Sequence, residues 1–126
     1  MLGGAFRLKG ETYLNVRDFA AADAVFITAT NYLSATIPTF VKEEKYRMLA
    51  QAYATLGIVY EEQGHSQIRQ GNKEASRPLL EKARETYDLC IQQQAAAPTD
   101  SILADQVINR LCIPYKKFVE DTLSGL

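Results

Sequence analysis

The sequence has no tryptophan, one histidine, two cysteines and no excess of either charge. Its 14 basic and 15 acidic side chains leave a net charge of −1 over 126 residues. So small a charge provides no long-range field to hold DNA, RNA or an anionic membrane surface. The basic residues are also scattered, Lys116-Lys117 being the single basic pair. No run of about 18 consecutive apolar residues is present, so no membrane insertion is expected. The opening Met1-Leu-Gly-Gly-Ala-Phe-Arg lacks a basic stretch followed by an apolar one, so no secretory signal is expected. Cys90 and Cys112 are far apart in sequence, without metal-ligand neighbours. They are expected to be free, buried thiols in a reducing compartment, with the cytoplasm as the default address.

The same scarcity argues against an enzyme. His65 lies beside Glu61 and Glu62, but the further ligands of a metal site are not visible. There is no P-loop, no G-x-G-x-x-G and no G-x-S-x-G turn. Cys90 lacks a histidine partner to activate it. No catalytic residue, metal or cofactor is expected.

What is present is helical periodicity. Apolar residues make up 47% and charged residues 23% of the chain, sufficient for one domain, 1–126, with a single core. Nothing alternates with period two, so an all-α fold of about five helices is expected. The first is expected over 4–16, with Phe6, Gly10 and Tyr13 on one side. The second spans 19–35, capped by Asp18 and carrying Phe19, Ala22, Phe26, Ala29 and Leu33 at spacings of three and four. Pro38 should stop it, since the residue before a proline is pushed out of helical conformation. Thr39 should cap a long third helix, about 40–70, whose far end after Tyr60 carries only Ile68 as an apolar residue and should project into solvent. Gly71 can take the left-handed conformation that ends it. A fourth helix runs over about 74–95. Thr99 or Asp100 caps a fifth, kinked or divided at Pro114, ending near Leu123.

Within these helices, Tyr53-x2-Leu56-Gly57-x2-Tyr60 followed by Ser76-x3-Leu80-x2-Ala83 repeats Phe6-x2-Lys9-Gly10-x2-Tyr13 followed by Ala22-x3-Phe26-x2-Ala29. This resembles the tetratricopeptide repeat, a helix–turn–helix unit of about 34 residues. The resemblance implies about two repeats, a short antiparallel hairpin α-solenoid: a hairpin over 3–35, an elongated one over 39–95 and a capping helix over 99–124. Gly10 and Gly57 are 47 residues apart. Matching them implies an insertion of two helical turns in the second hairpin.

In that family the first helix of each pair lines a groove for peptides. Carried over by resemblance, the groove residues are Arg7, Glu11, Leu14 and Asn15, then Gln51, Ala54, Ile58 and Glu61. The implied function is a protein–protein interaction module, an adaptor or scaffold for a protein or peptide partner. The alternative is a small-ligand sensor or regulatory domain with a pocket between helix pairs. The second helix has Asp23 as its one charge between Phe19 and Val41. An exposed helix normally shows a charged face, so both faces of this one are expected to be covered, by neighbouring helices or by a second copy of the chain, with Val25, Ile27 and Tyr32 marking the self-association face of a homodimer.

Overall fold

The computed structural model describes residues 2–126 and, among them, is all-helical. Helices α1 (Leu2–Asn15), α2 (Phe19–Lys42), α3 (Tyr46–Arg69) and α4 (Lys73–Ala96) are followed by a continuous helical run. That run is π-wound over Leu103–Cys112 and α-helical over Ile113–Ser124, here α5. No strand occurs among the described residues.

The two hairpins are sealed by one device, a glycine facing a large side chain. A Cβ added at Gly3, Gly10, Gly57 or Gly64 would come within 3.0 Å of, respectively, Leu33, Phe26, Tyr87 and Leu80. Moving seven residues forward on the first helix moves seven back on its partner, which defines antiparallel pairing. Each contact of the second hairpin lies 54 positions after its counterpart in the first: Gly3 to Gly57, Gly10 to Gly64, Phe26 to Leu80, Leu33 to Tyr87. The same offset carries α2 onto α4, each of 24 residues. The repeat period is therefore 54 residues. Gly10 corresponds to Gly64, not Gly57, and the second hairpin contains no two-turn insertion between its glycine and its turn.

The three-residue links share one backbone design. Arg17, Glu44 and Gly71 have φ of 63°, 54° and 80°. The next residue's N–H reaches back five positions, as in Asp18 to the Tyr13 carbonyl at 2.9 Å and Asn72 to the Gln67 carbonyl at 2.8 Å. This is the Schellman ending, which satisfies carbonyls the helix leaves free. Gly71 takes the expected role; Arg17 and Glu44 adopt the left-handed conformation without glycine's freedom. The fourth link has Pro98 where the 54-residue offset from Glu44 falls, and proline cannot adopt positive φ. Asp100 caps there instead, accepting the Leu103 N–H at 2.9 Å.

Several expected boundaries move. α2 continues through Pro38 to Lys42, so Thr39 lies inside a helix and α3 begins at Tyr46. Ile37 and Phe40 pack on the first core, with Phe26, Leu33, Leu56 and Val59, and this packing offsets the hydrogen bond that Pro38 cannot donate. The far end of α3 does not project: Glu61, Gly64 and Ser66 are buried. The Ser66 hydroxyl donates to Asp23 of α2 at 3.1 Å, and Gly64 seats Leu80.

The thiols are not free. Cys90 of α4 and Cys112 form a disulfide across Cα atoms 6.4 Å apart. Disulfides persist in oxidising surroundings, so free thiols no longer support a cytoplasmic address. Cys112 closes the π-wound stretch, whose buried residues are Leu103, Val107, Ile108 and Cys112. Bonds from i to i+5 bring residues four and five apart onto one face, and these four follow that spacing. Pro114 also lacks an N–H and crowds the carbonyl four residues back, which favours wider winding just before it.

Candidate functional site

Side chains of two other helices reach α3 on one stretch of its surface. Arg7 of α1 reaches Glu62 of α3 at 3.1 Å, and His65 of α3 stands 6.0 Å, ring to ring, from Phe118 of α5. A strip of α3 comprising Ile58, Glu62 and His65 is therefore flanked by α1 and α5. Phe118 is 54% exposed and Tyr115 37%, and Tyr115 stacks on buried Tyr87 at 6.0 Å.

Two polar clusters adjoin the strip. In one, the Tyr87 hydroxyl donates to Glu61 Oε1 at 2.8 Å, while His65 Nε2 is 3.5 Å from Glu61 Oε2. Burial first, then the Glu61 carboxylate, pushes the Tyr87 phenol far above its ordinary range, so it serves only as a donor. In the other, Arg7 is shared between Glu11 at 3.0 Å and Glu62 at 3.1 Å. Burial raises the Glu62 carboxyl to about 7, with Arg7 pulling it down and Glu11 and Glu61 pushing it up. Glu62 Oε2 is buried without a hydrogen-bond partner.

The residues expected to line a groove divide. Gln51 and Asn15 are exposed, and Arg7, Glu11 and Ile58 are half-buried at the opening. Leu14, Ala54 and Glu61 are buried at 4%, 2% and 8% exposure. Leu14 belongs to the core beneath α1, Ala54 to the core shared with the π-wound segment, and Glu61 to Tyr87. Tyr115 and Phe118 are not among the residues expected to line the groove; from the sequence they belong to the apolar stripe of the fifth helix, yet both are exposed. The trio Val25, Ile27 and Tyr32 also divides. Tyr32 packs on the first core, Val25 is half-buried, and Ile27 is 54% exposed on the other flank of the buried stripe.

No group of three or more His, Cys, Asp or Glu residues that could hold a metal occurs among the described residues. A surface cleft of about 340 Å³ lies where the links before α3 and after α4 meet, lined by Tyr46, Arg47, Met48 and Asp100 among others. Within it Arg47 grips Asp100 through two nitrogens at 2.9 and 3.1 Å. By length and a mean hydropathy of 1.2, α2 could cross a membrane. In this fold its Ala22, Phe26, Ala29 and Leu33 are buried.

No protein-family model matches the chain, and no curated protein or solved structure matches it either.

Proposed function

We propose that the protein is an interaction module, a hairpin-repeat scaffold related in design to tetratricopeptide repeats, that receives a peptide or protein segment on the α1–α3–α5 face. The observation that carries this reading is Phe118, an aromatic left half open to water beside His65. Large aromatics at the centre of a contact surface supply a disproportionate share of binding energy. The strip's Glu62, with Arg7 and Glu11 of α1, offers charged groups for orientation. The observed period of 54 residues rather than about 34 makes each hairpin longer than in the family it resembles, so two hairpins and a cap present a correspondingly longer face.

Selection of a displayed random-peptide library against the whole protein tests this. Peptides are expected to be enriched, and Phe118→Ala is expected to weaken them by about tenfold or more. Failure to enrich any peptide, or enrichment indifferent to Phe118→Ala and Ile58→Arg, would sink the reading.

Self-association is a second proposal, favoured by the outer face of α2. Ala20, Ala24, Ile27, Asn31, Ser34 and Ala35 are exposed and uncharged there. Light scattering at micromolar concentration should give twice the chain mass, reverting to one chain in Ile27→Glu. A single-chain mass for the wild type defeats it.

A further inference from the structure

We propose that the seam between α1 and α3 is a proton-operated latch: uptake of one proton by Glu62 tightens α1 against the body, and its loss loosens α1. The device is regulatory; it shares Arg7, Glu11 and Glu62 with the proposed binding face, but its test needs no partner.

The geometry is an imbalance of partners. One guanidinium, Arg7, serves two carboxylates, Glu11 and Glu62, at 3.0 and 3.1 Å. Glu62 Oε1 accepts from Arg7, but Oε2 is buried and meets no donor. A charged oxygen buried without a protein donor is costly, and a neutral carboxyl in the same place much less so. The groups facing this point from each packed element leave that imbalance in place. On α3 itself are Glu61, engaged by Tyr87, and His65, directed at Glu61. Arg69 donates to the Leu14 carbonyl at 3.4 Å. On α2, Asp23 accepts from Ser66. On α4, Tyr87 is occupied by Glu61.

Burial raises Glu62 from 4.5 to about 7, so the closed seam binds the proton more tightly than the opened chain does. Closure is therefore strongest at low pH, weakens as pH rises from about 4.5 to 7, and levels off above that. The helix at stake is the one that covers Phe26 and Leu33, through Gly10 and Gly3. Loosening it uncovers apolar surface close to neutral pH.

Amide hydrogen exchange on the full chain, corrected for the intrinsic rate, tests the latch. Protection of α1 amides is expected to fall by at least about tenfold between pH 5 and 8 while α4 amides change little. Glu62→Gln should abolish the pH dependence. Glu11→Gln, which leaves Arg7 wholly to Glu62, should move the transition to lower pH. Histidine is the side chain that ordinarily titrates in this range, so His65→Gln must leave the wild-type profile intact. Should Glu62→Gln fold poorly, carboxyl-carbon NMR of Glu62 in the wild type must show its transition near 7. A pH-independent α1, a profile lost in His65→Gln, or a Glu62 transition near 4.5 would overturn the proposal.

Discussion

The two hairpins follow one ruler but are finished differently. Both carry a glycine pair a heptad apart, and both seat two large side chains seven residues apart under it. In the first hairpin those side chains are Phe26 and Leu33, wholly apolar. In the second they are Leu80 and Tyr87, and the tyrosine brings a hydroxyl that requires Glu61. The second hairpin is further tied to the C-terminal run by the Cys90–Cys112 disulfide and by Lys116 to Asp88. The first has no covalent tie, and its α1 meets α3 through a guanidinium shared by two acids. A repeat can thus hold its backbone period while one unit is cross-linked to its neighbour and the other is not.

Packing variants should expose this contrast most sharply. Phe26→Ala removes an aromatic with no accessible surface from the hairpin without a staple, and is expected to cost about 4 kcal/mol in chemical denaturation. Its exchange signature should be loss of protection in α1 and α2, with α4 retained. An equal loss across all helices would mean the two units are a single cooperative block.

Replacing both cysteines by alanine should act on the other unit. Opening a cross-link between positions 22 apart is expected to cost about 3 kcal/mol, with protection lost first over 103–112. A thiol titration of the native, unreduced protein should find no free cysteine. Two reactive thiols on unfolding without reductant would contradict the pairing.

The smallest effects belong to the turns. Arg17→Gly relieves a non-glycine residue at φ 63° and should stabilise by about 1 kcal/mol. Gly71→Ala, at φ 80°, should destabilise by a similar amount. The same sign for both would show that the two links are not equivalent.

Much of this was legible in the sequence, for reasons that also mark where legibility stops. The apolar stripes of α2 and α4 specify helices whatever their neighbours, and Asp18, Gly71 and Asp100 act through backbone chemistry that depends on adjacent residues alone. Register did not read out. Gly57 and Gly64 are a heptad apart on one face, so either fits a glycine-and-aromatic signature; the choice depends on where the far arm begins. Pro38 was misleading because the clash it causes is local, whereas the packing of Ile37 and Phe40 that offsets it is on a core to which α3 contributes. Glu61 and Ser66 read as solvent-facing because their partners, Tyr87 and Asp23, lie 26 and 43 residues away. The disulfide was hidden likewise, since separation along the chain does not reveal a Cα distance.

The 54-residue register is the claim on which the rest depends, and nuclear Overhauser contacts from the glycine α-protons test it directly. Gly64 should show contacts to the Leu80 methyls and Gly57 to the Tyr87 ring, mirroring Gly10 with Phe26 and Gly3 with Leu33. Contacts from Gly57 to Leu80 would restore the alignment of Gly10 with Gly57 and contradict the account.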